Sequence, residues 1–478
     1  MTGPDAQTPV VDQILIDIAD YVIDGAIDSE AAFATASYCL LDALGCAIAA
    51  LNSQECVRRL GPLVPGAVLE GGARVPGTAY ELDPVRAAFN LGCMVRWLDY
   101  NDTWLAAEWG HPSDNLCAIL ACADYMSRCA GRPVRMREVL TALIKAYEIQ
   151  GVLGLENSFN SRGLDHVILV RIASCAVAAA LLGGDKREII NAVSNAWLDG
   201  ASLRTYRHAP NTGWRKSWAA ADAAARGVQH ALLAVAGEPG YPTALSADRW
   251  GLSDVLFDGK PLVVRRPYQS YVMENILFKA AFPVEFHAQT AVECALDLHE
   301  RVHDRLDRIE RIELFTQAAA TRIIDKTGPL RNPADRDHCL QYAVAAALIF
   351  GELTSAHYED DIANDPRIDV LRRKMSVVEE PAFSRDYLDP DKRSIANRIV
   401  IHWSDGRMDR CERHFPLGHR RRRAEAVPLL IDKFKKNLTG RFSPQWIEAM
   451  TETILDRERL EGLFADEFMN RWAKSERW

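Results

Sequence analysis

A polar segment lies between two stretches of apolar, helix-like sequence, and it constrains the fold more than any other feature of this chain. It contains two polar runs, Leu98–Thr103 and Gly110–Asn115. Apolar helices exclude polar side chains unless each one is hydrogen-bonded. The segment is therefore either a buried capping network without chemistry or the floor of a pocket between helices.

The second polar run favours a pocket. Pro112 suits the first position of a helix, because that position needs no backbone N–H. His111 directly precedes it, so an imidazole is expected at the positive end of a helix, where an anionic ligand is also favoured.

Length, charge and cysteine usage exclude several classes of protein. At 478 residues, the chain is long enough for two domains, and its net charge of −9 argues against nucleic acid as a partner. The eleven cysteines are odd in number and form no Cys-x-x-Cys pair, which indicates free thiols in a reducing compartment. The cysteines also provide no clustered ligands for zinc or an iron–sulfur centre, so we expect no such metal site.

The N-terminus and the hydropathy pattern predict a cytoplasmic protein. The first twelve residues are polar and acidic, and resemble neither a signal peptide nor a transit peptide. No apolar run is judged long enough to span a bilayer. We therefore expect no membrane partner.

Helical periodicity dominates both ends of the chain. It extends from Val10 to about Ala236, and it resumes near Ala424 without strand signals. Many of the predicted helices are rich in small residues, which allows close packing. The sequence therefore predicts a mainly α protein with a large all-helical domain built from residues 1–274 and 416–478.

A different pattern occupies the region between these two segments. Residues 308–316 alternate between charged and apolar side chains, as a half-buried strand does. Residues 398–414 predict a hairpin that turns at Asp405-Gly406. We therefore expect an inserted α+β lid domain at 275–415.

Four further polar clusters are candidates for chemistry. His166 follows a polar run and precedes an apolar helix, so its neutral form is favoured. A basic segment, Arg204–Ser217, contains aromatic residues, a proline and a glycine, which suits a fixed anion site. Lys279 lies among phenylalanines, and Tyr342 begins a small-residue helix. Each cluster also has an interpretation without chemistry. In the same order, these are a capping histidine, a solvated basic loop, a lysine that extends its ammonium to solvent, and a buried tyrosine.

Taken together, these segments resemble the MmgE/PrpD family, specifically its 2-methylcitrate dehydratase branch. The resemblance covers most of the chain in the right order, and it includes long strings such as Arg204–Trp218. It implies a helical domain and an α+β lid with the active site between them, a homodimer, and no metal or organic cofactor. The family's catalytic positions fall on Asp99, His111, His166, Lys216, Lys279 and Tyr342, and its substrate-binding positions on Thr103, Arg204, Arg207, Lys216 and Lys279.

The resemblance implies a hydro-lyase that removes water from 2-methylcitrate to give 2-methyl-cis-aconitate in propionate breakdown, with possible use of citrate and cis-aconitate. Fixed cations would hold the three carboxylates of this substrate. We predict that His111 and His166 share the two proton transfers, with Asp99 orienting one of them and Tyr342 as another candidate acid. Two alternatives stay open: a cis-aconitate-type decarboxylase of the same family, and a non-catalytic helical scaffold that binds an acidic partner.

Overall fold

The structure is a computed structural model that describes residues 10–198, 202–208 and 210–474. Most of the N-terminal segment on which the leader prediction rests, residues 1–9, lies outside this range, as does Ala209 of the basic segment. The elements before residue 276 are mostly helices: α1 (Gln13–Asp24), α2 (Glu30–Ala50), α3 (Gln54–Val57), α4 (Pro84–Arg96), α5 (Leu116–Arg128), α6 (Met136–Glu156), α7 (Val167–Leu181), α8 (Lys186–Leu198), α9 (Arg215–Val235), α10 (Leu252–Leu256) and α11 (Tyr271–Asn275), with the short antiparallel strands β1 (Ala73–Arg74) and β2 (Glu81–Leu82).

The rest of the chain mixes strands and helices and then ends in helices. In order, these are α12 (Gln289–Val302), β3 (Ile309–Thr316), α13 (Ala318–Ile323), α14 (Pro333–Arg336), α15 (Leu340–Phe350), α16 (Asp360–Ala363), α17 (Pro366–Arg373), β4 (Met375–Glu379), α18 (Pro381–Leu388), β5 (Asn397–Trp403), β6 (Met408–Arg413), α19 (Arg423–Leu438), α20 (Pro444–Leu455), α21 (Arg457–Gly462) and α22 (Ala465–Asn470). Short 3₁₀ turns cover Pro112–Asn115, Asn160–Arg162, Thr205–Arg207, Phe286–Ala288, Leu306–Arg308, Ser355–Tyr358 and Arg420–Arg422.

The mainly α prediction is confirmed, and the structure has the strand predicted at 308–316 and the hairpin predicted at 398–414. Helix α2 begins after Ser29, whose hydroxyl accepts a hydrogen bond from the Ala32 N–H, as expected of an N-cap. By length and composition, α2 could cross a membrane, which corrects the prediction that no apolar run is long enough. In the structure, 83% of the most apolar stretch of α2 is buried inside the protein. This burial is what a core helix shows.

Two large apolar cores divide the described residues. One contains side chains from α1 through Phe278, and again from Leu430 through Trp472. The other lies between Val284 and Trp403. Helices α19 to α22 therefore pack against the first part of the chain, with α19 on α2 and α22 on α5. The boundaries 275 and 415 of an inserted lid stay a prediction.

The second core is built on a four-stranded sheet in the order β4-β3-β5-β6. The predicted hairpin is β5 and β6, which pair antiparallel, and Gly406 takes the positive φ of 84° that its turn needs. The sequence analysis did not predict β4, which pairs parallel to β3. Its residues are mostly exposed at the sheet edge, so the strand carries little apolar alternation.

The C-terminal helices support the polar segments that the sequence singles out. The Lys433 ammonium on α19 is 2.6 Å from the Asp42 carboxylate, and it donates to the carbonyls of Tyr100 and Lys279. One buried cation thus anchors two polar loops from distant parts of the sequence. Four consecutive arginines precede and begin α19, at positions 420–423. One of them, Arg422, forms an ion pair with Glu293 at 2.7 Å.

Candidate active site

A cavity of about 580 Å³ lies between the helical part and the second core. Six arginine and lysine side chains line it, against three carboxylates, so its lining is net positive and suits an anionic ligand. Its lining residues are Arg96, Asp99, Thr103, Leu105, Trp109, His111, Asn160, Gly163, His166, Arg204, Thr205, Arg207 and His208 from the helical part, with Lys279, Glu285, Phe286, Arg322, Ile323, Asp325, Lys326 and His338.

Asp99 is the centre of the ionic network in this cavity. Its Oδ1 atom accepts hydrogen bonds from Arg96 and, at 2.7 Å, from the Lys279 ammonium, while Lys216 lies 3.5 Å from Oδ2. Burial alone would raise the pKa of this carboxyl, but the surrounding cations hold it well below its usual value. Its backbone has a positive φ of 49°, a strained conformation that the network stabilises.

Lys216 links α9 to the second core. The sequence places it in a basic loop, but the structure places it, almost fully buried, in the first turn of α9. Its ammonium is 2.9 Å from both carboxylate oxygens of Asp337. Asp337 also accepts a 2.6 Å hydrogen bond from the Nδ1 of His338, whose Nε2 lies 3.6 Å from Asp99.

His111 is buried with both ring nitrogens engaged. Its Nδ1 is 2.6 Å from the backbone carbonyl of Asp102, so it must donate there. Its Nε2 then accepts from Arg96 at 2.9 Å. Burial, reinforced by Arg96, holds its pKa well below the usual value. Asp99 is 3.8 Å from Nε2, so Asp99 acts on this imidazole mainly through Arg96.

His166 is also buried; its Nδ1 lies 3.2 Å from an Asp165 carboxylate oxygen, and its Nε2 has no hydrogen-bond partner among the described residues. It precedes α7, and its ring centre is 5.8 Å from that of His111. Burial is the main cause that lowers its pKa to about 3, partly offset by Asp165. A buried imidazole that lines a cavity and whose Nε2 has no partner is available to a ligand.

Arg204 and Arg207 are not free carboxylate clamps, since both contact Asp165. Arg207 makes two hydrogen bonds to that carboxylate, one of them 3.1 Å long, and Arg204 lies 3.5 Å from it. Burial raises and Arg207 lowers the pKa of Asp165, and the net shift is well downward. The guanidinium of Arg204 also stacks on Trp109, with Arg322 on the same ring.

Thr103 lies in the cavity as predicted, and Tyr342 does not. Thr103 places its hydroxyl 3.3 Å from the Nδ1 of His111, and its backbone pairs with Leu277. Tyr342 is buried in the second core and donates a 2.5 Å hydrogen bond to the carbonyl of His357. The catalytic role predicted for Tyr342 is therefore not supported here, because its hydroxyl is committed elsewhere.

Several residues of the cavity were not predicted from sequence. Arg96 ends an ordinary amphipathic helix, so nothing in its local pattern indicates a buried site. Arg322 lies in the last turn of the short helix α13, and Lys326 follows that helix. Asp337, which pairs with Lys216, and His338 were not predicted either, and a His next to an Asp within a polar cluster was the signal that could have found them.

Asp99, Asp337 and His338 are also the one group of the described chain whose carboxylate and imidazole atoms lie close enough to hold a metal, within 4.8 Å of one another. Lys216 contacts both carboxylates, and Lys279 contacts Asp99. A divalent cation would have to displace or repel these ammonium groups. The donor set fits an ion-pair network better than a metal site.

Family models match two consecutive parts of the chain. The MmgE/PrpD N-terminal domain matches residues 16–265, and the MmgE/PrpD C-terminal domain matches residues 282–457. The chain therefore belongs to the MmgE/PrpD family. It is 57% identical to a 2-methylcitrate dehydratase of Cupriavidus necator over 98% of this chain and 99% of that protein.

Two further relatives extend the comparison. A 2-methylcitrate dehydratase of Escherichia coli (strain K12) is 56% identical over 97% of each chain. A mitochondrial 2-methylcitrate dehydratase of Yarrowia lipolytica is 52% identical over 99% of this chain and 92% of that protein. The similarity therefore includes both apolar cores and every segment that lines the cavity.

Proposed function

We infer that this protein is a 2-methylcitrate dehydratase, a hydro-lyase that forms 2-methyl-cis-aconitate and water. The observation that carries this inference is near-complete coverage at 55–57% identity by bacterial enzymes of that name. The cavity is consistent with the chemistry, since a tricarboxylate requires a net positive site. Neither the decarboxylase nor the scaffold alternative is favoured by these relatives.

We propose that His166 removes the proton from the methyl-bearing carbon. This proton lies next to a carboxylate and is weakly acidic, so a base must be positioned against it. A neutral imidazole meets that requirement when its Nε2 is free and its Nδ1 lies beside a carboxylate, as Nδ1 of His166 does beside Asp165. Carboxylates of the bound substrate would raise the low pKa of His166, because negative charge nearby favours the imidazolium form.

We propose that Lys279 protonates the departing hydroxide. Its ammonium lines the cavity, and burial lowers its pKa, so it is a stronger acid than an exposed lysine. The electron pair of the broken C–H bond forms the double bond, and the hydroxide accepts the lysine proton and leaves as water. Proton exchange between the imidazolium and the neutral amine then restores both groups.

The two histidines then differ in role from the predicted acid–base pair. His111 accepts a hydrogen bond from Arg96 and donates to a carbonyl, so it holds Arg96 towards the cavity. Arg322 and Lys326 have no carboxylate oxygen within hydrogen-bond distance among the described residues, although Lys326 lies 3.9 Å from Asp335. These two cations are available for a substrate carboxylate.

Two further proposals are a homodimer, which the family resemblance implies, and a cytoplasmic location, which the scattered cysteines without a Cys-x-x-Cys pair favour. Size-exclusion chromatography coupled to light scattering would measure the mass of the assembly. A mass of one chain across the working concentration range would contradict the homodimer.

The test of function is product analysis with purified protein. We expect 2-methylcitrate to give a rising absorbance of a conjugated acid, without release of carbon dioxide. Release of carbon dioxide from cis-aconitate would instead support the decarboxylase. No turnover with 2-methylcitrate, citrate or cis-aconitate, together with binding that fades uniformly with salt, would support the scaffold.

A further inference from the structure

A third, smaller apolar cluster lies apart from the two large cores, at the seam between them. It consists of buried side chains from both sides of the seam, with two partly buried ones packed against it: Leu105, Leu277, Phe286, Ala319, Tyr387 and Ile395, then Trp109 and Ile323. Four of these eight also line the cavity of the candidate active site, namely Leu105, Trp109, Phe286 and Ile323. We call these four the apolar wall.

The apolar wall is unexpected in a site that is otherwise ionic. The carboxylates and hydroxyl of a citrate-type acid are served by cations and hydrogen-bond donors, and apolar carbon contributes nothing to them. The proposed substrate differs from citrate by one methyl group, on the carbon that loses its proton. An apolar surface in the same cavity as His166 suits that methyl.

The wall is held from both sides. The carbonyl of Leu105 accepts a 2.8 Å hydrogen bond from Arg393. The Trp109 ring has the Arg204 guanidinium at 5.3 Å and that of Arg322 at 5.7 Å. A surface fixed in this way can discriminate by shape, because its shape does not adjust freely to each ligand.

Phe286 and Ile323 complete the wall from the second part of the chain. Phe286 is fully buried, in a turn where the Glu285 carboxylate accepts from the backbone N–H of His287. Ile323 is the last residue of α13 and is only partly buried. Ile323 is therefore the wall residue whose size can be changed with least damage to the fold.

We propose that the apolar wall binds the methyl group of the substrate and so sets the preference for 2-methylcitrate over citrate. This inference rests on the proposed function. One methyl in an apolar pocket changes kcat/KM by roughly 10–200-fold, which is the range of discrimination that the wall would supply.

The test is to change the size of Ile323 and to compare kcat/KM for citrate, 2-methylcitrate and 2-ethylcitrate. We expect Ile323→Ala to reduce the preference for 2-methylcitrate over citrate by roughly tenfold, and to improve the relative rate with 2-ethylcitrate. Ile323→Phe should fill the space, and should impair turnover of 2-methylcitrate more than that of citrate. Ile323→Val removes one methyl group and should reduce the preference for 2-methylcitrate less than Ile323→Ala does. It keeps the proposal testable if the other variants fold poorly.

Ile395→Val is the matched control. Ile395 belongs to the same cluster and is buried, but it does not line the cavity. The substrate preference of the Ile395→Val enzyme should therefore equal that of the parent. Active Ile323 variants with an unchanged preference for 2-methylcitrate over citrate would contradict the proposal that the apolar wall binds the methyl group. They would leave the dehydratase function intact. A parent protein that turns over no tricarboxylate would overturn both.

Discussion

His111 and His166 occupy the same kind of position in the sequence but have opposite surroundings in the structure. Each follows a polar run and precedes an apolar helix, and each is buried beside the cavity. His111 has a hydrogen-bond partner on both nitrogens, whereas among the described residues the Nε2 of His166 has none and its Nδ1 lies 3.2 Å from Asp165. The helix-start position therefore places an imidazole at the site but does not decide what it can do there.

The difference comes from residues that are distant in sequence. Arg96 occupies the lone pair of His111, while Arg204 and Arg207 contact Asp165 rather than His166 itself. Burial is the main cause that lowers the pKa of both imidazoles, so both are neutral at pH 7. Availability to the substrate, more than charge state, distinguishes them.

The largest expected effect is on turnover by histidine variants. His166→Ala should lower kcat by roughly 10²–10⁴, because it removes the proposed base, and should leave the melting temperature close to that of the parent. His111→Ala should lower both kcat and the melting temperature, because it removes the partner of one Arg96 Nη group and of the buried carbonyl of Asp102.

Steady-state kinetics with 2-methylcitrate and thermal unfolding would measure these two effects separately. The exposed His303→Gln is the control and should resemble the parent in both. The effect of the double variant on kcat should be far from multiplicative if both residues serve one step. A His166→Ala enzyme within a few-fold of the parent would assign the base elsewhere.

The next largest expected effect is on stability, and it concerns Asp99 and Asp165, the buried carboxylates close to the two histidines. Asp99→Asn leaves Arg96, Lys216 and Lys279 buried with less compensation, so we expect a loss of about 3–5 kcal/mol in the free energy of unfolding. Asp165→Asn should cost a similar amount, because Arg207 loses its ion pair. Denaturant titration would measure both.

A surface ion pair provides the control for these substitutions. Asp258 pairs with Arg162 but is largely exposed, so Asp258→Asn should leave the unfolding midpoint unchanged. If Asp99→Asn behaved in the same way, the network around His111 would be dispensable for folding.

Stability should also depend on pH through His166. An unfolded histidine binds a proton below about pH 6.5, but burial lowers the pKa of His166 to about 3 in the folded protein. Between these values the unfolded state binds more protons, so stability falls as pH falls, by up to about 1.4 kcal/mol per pH unit for one histidine. His166→Gln should remove this contribution.

The measurement is the difference in free energy of unfolding between parent and His166→Gln from pH 6.5 to 5. Only the difference is informative, because burial raises the pKa of Asp114 and Glu108 to about 7, which gives an opposite slope. A difference that does not change with pH would mean that His166 is protonated in the folded state.

The sequence predicted the parts of the site that lie in local patterns. The helix starts near His111 and His166, the hairpin at Gly406 and the mainly α fold all follow from spacing and turn chemistry. Arg96 and Arg322 could not be predicted in this way, because their role depends on contacts between distant segments. Tyr342 shows the converse, since its motif was noted but its hydroxyl bonds to a backbone carbonyl in the second core.

The smallest expected effect is that of metal removal, and it tests the cluster on the His111 side of the cavity. Asp99, Asp337 and His338 are close enough to bind a cation, but the ammonium groups of Lys216 and Lys279 already contact these carboxylates. A second positive charge there would be repelled at short range in a poorly solvated site. Protein treated with a chelator, and shown to be metal-free by elemental analysis, should therefore keep its rate with 2-methylcitrate. Loss of activity that zinc or iron restores would mean that the lysines move aside for a metal, and the proposed roles of Lys279 and His166 would then need revision.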